Sequence, residues 1–167
     1  MASICILGAS GMLGSSLAPY LRRLGCEVFC LGRTARQKGD IEVDYSCAAS
    51  VNKVLNQCNP AFIINLVALT NVDACESNPH LAYIANVGVI ERICRWMKNK
   101  SSCHLIHIST DHVYDGLGPH AEDDISIVNY YGLSKYAGEL AASLVPSTIL
   151  RTNFFGRSAS PSRDSFS

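Results

Sequence analysis

Gly8-Ala9-Ser10-Gly11-Met12-Leu13-Gly14 joins a short apolar run, Ser3 to Leu7, to a stretch in which Leu13, Leu17, Leu21 and Leu24 recur at helical spacing. The run predicts a strand, and the stretch predicts a helix from Met12 to Leu24 that stops at Gly25. Glycines in the pattern G-x-x-G-x-x-G permit a tight turn, let main-chain amides approach a pyrophosphate, and let the helix pack closely on the sheet. The helix N-terminus adds unpaired N–H groups and a partial positive charge, which suits phosphate. A plain glycine turn is the competing reading, and the elements downstream of Gly14 decide against it.

Strand and helix signals alternate to the end, the pattern of parallel α/β units. Glu27 to Leu31 is the second strand. Ser46 is placed to cap a helix through Gln57, Asn59-Pro60 breaks it, and Ala61 to Val67 is a third, buried strand. A single helix is expected from Pro79 to Lys98, a fourth strand from Cys103 to Ser109, and a helix from Val128 to Leu144, ended by Pro146. Ser147 to Arg151 is a further strand. Right-handed crossovers then give a doubly wound parallel sheet, Rossmann-like, with ligands beyond the carboxyl ends of its strands.

Composition fits one such domain. The 167 residues balance 14 Lys+Arg against 14 Asp+Glu, with 17% charged and 48% hydrophobic, enough to bury a sizeable core. A neutral chain without a basic run lacks the electrostatic footprint of a nucleic-acid or anionic-membrane binder. No apolar run reaches the ~18–20 residues of a membrane span, and the opening residues have no basic n-region, so a cytoplasmic protein is expected. The eight cysteines include no C-x-x-C pair and several sit in apolar strand runs, which reads as small hydrophobes in a reduced compartment, without metal.

At the end of the second strand an acid favours NAD and an arginine accommodates a 2′-phosphate. Leu31-Gly32-Arg33-Thr34 has no acid, so Arg33 leans toward NADP, with NAD the alternative. Asp44 has two readings, a helix cap or an acceptor for the adenine amino group. Tyr131 and Lys135 stand at i and i+4 and share one helix face. A neighbouring ammonium stabilises a phenolate, so the pair makes sense as an acid–base couple. Ser109-Thr110-Asp111 lies at the carboxyl end of the fourth strand and supplies a hydroxyl to hold a substrate oxygen. Tyr130 precedes Tyr131, but only Tyr131 has Lys four residues on.

Together with Asn65-Leu66-Val67-Ala68-Leu69-Thr70-Asn71-Val72-Asp73, Ser109-Thr110-Asp111-His112-Val113-Tyr114-Asp115-Gly116 and Leu150-Arg151-Thr152-Asn153, these motifs resemble an extended short-chain dehydrogenase/reductase. Within it the chain is most similar to the dTDP-4-dehydrorhamnose reductase family, from Ile4 to about Gly156. The resemblance implies an NADPH-dependent reductase of a nucleotide-diphosphate-sugar keto group, in polysaccharide or deoxysugar biosynthesis. Tyr131 would donate the proton, Lys135 would hold the nicotinamide ribose, and Thr110 would orient the carbonyl. Gly8, Ser10, Gly11, Met12, Leu13 and Gly14 would bind coenzyme, with Arg33, Asp44, Tyr45, Leu66, Val67 and Ala68 along the adenosine path. Asp44 and Tyr45 would lie near the adenine, and Asp111 and Phe154 would touch the sugar nucleotide alongside Thr110 and Tyr131. Asn86 matches a helix Asn that supports the active-site backbone.

The sugar-nucleotide dehydratases of this superfamily carry Glu where this chain has His112, so dehydration is not expected. His112 reads as a loop residue and His107 as a satisfied core histidine. Two alternatives share the motifs, a nucleotide-sugar epimerase and a non-catalytic NADP-binding regulatory subunit similar to that of methionine adenosyltransferase. A homodimer is compatible with either. Residues 1–156 are expected to form the NAD(P)-binding domain and 157–167 a loop leading toward a substrate domain, most of which this stretch lacks.

Overall fold

The structure, a computed structural model, describes residues 1–98, 100 and 102–154. The loop expected at 157–167 lies outside the described residues. Six parallel strands form one sheet: β1 (Ser3–Leu7), β2 (Glu27–Gly32), β3 (Ile41–Glu42), β4 (Phe62–Asn65), β5 (His104–Thr110) and β6 (Ser147–Thr152), in the order β3-β2-β1-β4-β5-β6. This is the doubly wound sheet expected, and the order in which successive strands are added reverses between β1 and β4.

Six α-helices are described: α1 (Met12–Arg23), α2 (Ala48–Cys58), α3 (Val72–Ser77), α4 (Pro79–Tyr83), α5 (Val89–Met97) and α6 (Tyr130–Ala142). Side chains alternate across β1 and so feed two cores. Cys5 and Leu7 join Leu31, Leu55, Ile63, Ile90, Ile93 and Leu105 on the α2, α5 and α6 face. Ile4 and Ile6 pack with Ala18, Cys30 and Ile64 under α1. Apolar side chains on both faces of β1 are what a buried parallel strand requires. All eight cysteines are free thiols, and six of them are buried. Among the described residues no helix is long and apolar enough to cross a membrane.

Three local expectations change. Ser46 does not cap α2: Asp44 Oδ1 accepts both its N–H (2.9 Å) and its hydroxyl (2.6 Å), and Cys47 becomes the N-cap. Asn71 opens the unforeseen α3 by accepting Ala74 N–H at 2.7 Å, and Asn78 caps α4 ahead of Pro79. The single helix expected from Pro79 to Lys98 is interrupted by a π-helical turn, Ile84–Gly88, which turns Asn86 into the interior. The reason is tertiary, since a Cβ at Gly138 of α6 would stand 2.7 Å from the Asn86 carbonyl oxygen.

Candidate active site

The tips of β1 and β4 meet at Gly8. Its φ of +78° is a left-handed conformation, and a Cβ there would lie 3.1 Å from the Leu66 carbonyl carbon. Gly8 N–H bonds the Leu31 carbonyl at 3.0 Å, and Leu66 N–H bonds that of Leu7 at 3.0 Å, so the loop spans the seam where the sheet reverses. Gly11 is the N-cap of α1 and offers no side-chain cap. The first-turn amides of Met12, Leu13 and Gly14 therefore face the crevice without a side-chain acceptor, a donor set that fits a pyrophosphate. Ser10 is exposed beside them. Leu66, Val67 and Ala68 are half-buried along the opposite wall.

The adenosine end is only partly as expected. Arg33 and Asp44 line one hollow of about 320 Å³, together with Glu42 and Val43. Glu42 arrives from β3, where it pairs with Gly32, and it accepts Ala35 N–H at 3.1 Å. Asp44 is exposed and holds its own turn, which lowers its carboxyl pKa chiefly through the Ser46 hydroxyl. Tyr45 differs from the expectation of a place near the adenine: its ring is buried, and its hydroxyl donates to the Leu31 carbonyl (2.9 Å) and accepts Gly8 N–H (3.3 Å). A phenol inside a core must find such partners, and here it braces the glycine turn from below.

The residues expected to be catalytic come together where α6 meets the end of β5. Asn129 caps α6 by accepting Gly132 N–H at 2.7 Å, which starts the helix at Tyr130 and not at Val128. Gly132 allows the close approach, since a Cβ there would sit 2.5 Å from the His112 carbonyl oxygen. Tyr131 and Lys135 both face inward, at 8% and 3% exposure, whereas Tyr130 is 46% exposed, which settles the register. The Thr110 hydroxyl accepts His112 N–H at 3.2 Å. The His112 ring meets that of Tyr131 edge-on, with centroids 5.3 Å apart.

Spacing alone predicts that the Lys135 ammonium lowers the pKa of the Tyr131 phenol. The fold differs. Burial pushes the phenol above its ordinary range, the Thr110 hydroxyl opposes that, and the Asp111 carboxylate and Cys75 add to it. Lys135 Nζ instead donates to the Ile108 carbonyl at 2.6 Å, and burial brings its pKa down to about 8 against the pull of Glu139. The phenol is thus the protonated, donating form at neutral pH.

Of the residues expected to touch a substrate, Asp111 accepts Asn153 Nδ2–H on Oδ2 at 2.9 Å, and Phe154, just past β6, is 41% exposed. Asn86 has the supporting role implied for it: Oδ1 accepts Leu69 N–H (2.7 Å), and Nδ2 donates to the Leu69 carbonyl (3.1 Å) and to Ser134 Oγ (2.8 Å). Three groups that sequence reasoning left without a role, Ser109, Glu139 and Arg151, join in a buried network behind the site. The i, i+4, i+8 stripe Tyr131, Lys135, Glu139 is the signal that points to Glu139.

His107 is fully buried but incompletely satisfied. Its Nδ1 lies 3.3 Å from Asn65 Nδ2, and among the described residues Nε2 has no hydrogen-bond partner. Burial first, and the Lys135 charge second, lower its pKa to about 3. The unfolded imidazole binds a proton below about pH 6.5 while the folded one stays neutral down to about 3, so this group's contribution is present above 6.5 and is lost as pH falls. Urea denaturation at stepped pH should show about 1.4 kcal/mol lost per pH unit across that window. His107→Gln should flatten the slope, and an unchanged slope would contradict the assignment.

Comparison with known proteins identifies the family. The family described as the RmlD substrate binding domain matches residues 1–159. The chain is 37% identical over 153 residues to a dTDP-4-dehydrorhamnose reductase of Streptomyces griseus, covering 88% of this chain and 48% of that protein. It is 32% identical over 159 residues to the spore coat polysaccharide biosynthesis protein SpsK of Bacillus subtilis, covering 92% and 53%. Among solved structures, a hypothetical dTDP-4-dehydrorhamnose reductase from Sulfolobus tokodaii superposes with a TM-score of 0.84 at 35% identity, over 93% of this chain and 57% of that one. A dTDP-4-dehydrorhamnose reductase from Bacillus anthracis in complex with NADP superposes with a TM-score of 0.79 at 27% identity, over 90% and 52%. The chain spans about half the length of the curated relatives it matches. With the family matched over nearly its whole length, the chain belongs to the RmlD substrate binding domain family.

Proposed function

We propose that this chain carries the coenzyme-binding and catalytic residues of an NADPH-dependent reductase acting on the keto group of a nucleotide-diphosphate sugar, in cytoplasmic polysaccharide or deoxysugar biosynthesis. Residues 1–156 are the NAD(P)-binding unit in this reading. The observation that carries it is the placement of Tyr131 beside Thr110 on the same sheet edge as the uncapped first turn of α1. The dTDP-4-dehydrorhamnose reductases of Streptomyces griseus and Bacillus anthracis, the second solved with NADP, support the choice of substrate class and coenzyme.

The bound coenzyme supplies a hydride to the carbonyl carbon. The amides of Met12, Leu13 and Gly14 hold its pyrophosphate, and Arg33 takes the 2′-phosphate from the rim of its hollow. The Thr110 hydroxyl orients the substrate carbonyl, and the Tyr131 phenol gives its proton to the carbonyl oxygen as the C–H bond forms, leaving a phenolate. Lys135, which donates to the Ile108 carbonyl, would hold the nicotinamide ribose.

The test is NADPH oxidation with a dTDP-4-keto-6-deoxysugar, read together with calorimetric titration of NADP and NAD. NADP is expected to bind at least about tenfold more tightly than NAD, and Arg33→Ala to remove that difference, about 1.4 kcal/mol. A clear NAD preference would overturn the role of Arg33. Tight NADP binding without NADPH oxidation across several nucleotide keto sugars would favour a regulatory nucleotide-binding role instead.

A further inference from the structure

Three consecutive residues of β5 engage three successive turns of α6. Thr110 adjoins Tyr131, the Ile108 carbonyl accepts Lys135 Nζ, and Ser109 Oγ donates to Glu139 Oε1. The first two contacts belong to the site already described. The third has no part in substrate or coenzyme contact, yet it is the most heavily built.

Glu139 is 4% exposed. Besides Ser109, it receives Arg151 from β6: Nη2 donates to Oε2 at 2.6 Å, and Nε lies 3.0 Å from Oε1 and 3.1 Å from Oε2. Arg151 Nη1 continues to the Tyr114 hydroxyl (2.7 Å) and the Glu122 carbonyl (2.6 Å). One carboxylate thus joins the catalytic helix, β5, β6 and the loop after the Thr110 turn.

A buried ion pair often gains little net stability, so its presence asks for another reason. Lys135 supplies one. Its ammonium is 3% exposed and has, among the described residues, a single main-chain acceptor, and an isolated buried ammonium loses its proton readily. Among the described residues, the titratable groups facing it are Glu139 and Tyr131 from its own helix and His107 from β5, with Arg151 of β6 behind Glu139. His107 is neutral near pH 7 and Tyr131 is protonated, which leaves Glu139 as the one negative charge.

We propose that Glu139 is a positioning residue whose carboxylate, fixed in place by Arg151 and Ser109, keeps Lys135 an ammonium ion inside the fold. The use of that ammonium at a nicotinamide ribose rests on the function proposed above; the electrostatic coupling does not. Glu139 is bonded to Ser109 and Arg151 and acts through Lys135.

The test tracks the Lys135 ¹³Cε signal in lysine-labelled protein over about pH 6–10, assigned by its loss in Lys135→Met. The wild-type midpoint is expected near 8. Glu139→Gln should lower it by about one pH unit or more, and Glu139→Asp should return part of the shift. Arg151→Gln should move the midpoint the other way, because the carboxylate is then left to Lys135 alone. A folded Glu139→Gln protein, shown by its amide spectrum, whose midpoint does not fall overturns the proposal. Should that variant fail to fold, Arg151→Gln decides: an upward shift upholds the coupling, and none overturns it. A merely structural role predicts loss of stability from both substitutions but no opposed shifts in the lysine. Failure of the reductase reading would appear as absent NADPH oxidation, with or without NADP binding, and would leave this titration untouched.

Discussion

Tyr131→Phe is expected to lower the turnover of NADPH with a nucleotide keto sugar by about 10²–10⁴-fold, the usual worth of a positioned general acid, while the affinity for NADP stays within about threefold. The ring is kept, so its packing with Cys75 and Ala82 and its edge contact with His112 survive, and the fold should be unchanged. Only the proton donor is removed. Thr110 cannot replace it, since an aliphatic hydroxyl is a far weaker acid than a phenol, and this one donates to Asp111 Oδ1 at 3.3 Å. The effect should fall on kcat, because the phenol's contribution grows only as the carbonyl oxygen gains charge. Because the phenol's pKa is raised, its protonated form persists across neutral pH, and reduction should decline only as pH climbs toward that raised value. Steady-state rates beside calorimetric binding separate the two quantities, and wild-type turnover in the variant would remove Tyr131 from the chemistry.

Gly14→Ala and Gly11→Ala should fail in different ways, although both belong to one glycine pattern. A Cβ on Gly14 would stand 2.6 Å from Ala9 Cα, 2.7 Å from its oxygen and 2.8 Å from its carbonyl carbon. All three are main-chain atoms, so α1 or the loop must move. The expected cost is about 2–3 kcal/mol, a fall in Tm of roughly 5–10 °C, with coenzyme binding lost as the loop shifts. Gly11 has φ −76°, which alanine adopts freely, and its Cβ would meet only the Gly8 oxygen at 3.3 Å. Its Tm should change by no more than about 2–3 °C, while NADP affinity falls by about tenfold or more because the methyl group stands where phosphate must approach. Thermal melts with and without NADP distinguish them. Equal melting of Gly14→Ala and wild type would refute the close-packing account.

The parts of this fold that are legible in the sequence are those whose cause is local. The glycine turn, the five strands Ser3–Leu7, Glu27–Gly32, Phe62–Asn65, His104–Thr110 and Ser147–Thr152, and the Tyr131–Lys135 face each arise from periodicity within a few residues. The two residues of β3 have too short a period to show, and they are strand only because Ile41 and Glu42 pair with Leu31 and Gly32. The π turn at Ile84–Gly88 is set by α6, about fifty residues later in the chain, through Gly138 and Ser134. Lys135 is legible as a residue but not as a direction, since only the fold brings the Ile108 carbonyl within 2.6 Å. Glu139 and Arg151 stand on different elements, so their pairing has no spacing to betray it. Glu42 is hidden for the same reason, and it places beside Arg33 the acid that the second strand lacks.

The strand order has a consequence for how such a protein can change. Arg33, Glu42 and Asp44, which meet the coenzyme's adenosine end in the proposed reading, lie at the β2 and β3 side of the sheet, while Thr110, Tyr131 and Lys135 gather at β5. From β3 to β5 there are four strand intervals of about 4.8 Å each, or roughly 19 Å. Substitutions that far apart, with no shared partner, contribute nearly independently. Coenzyme preference and proton delivery therefore sit on separate dials, and a lineage could exchange one dinucleotide for the other without retuning the phenol.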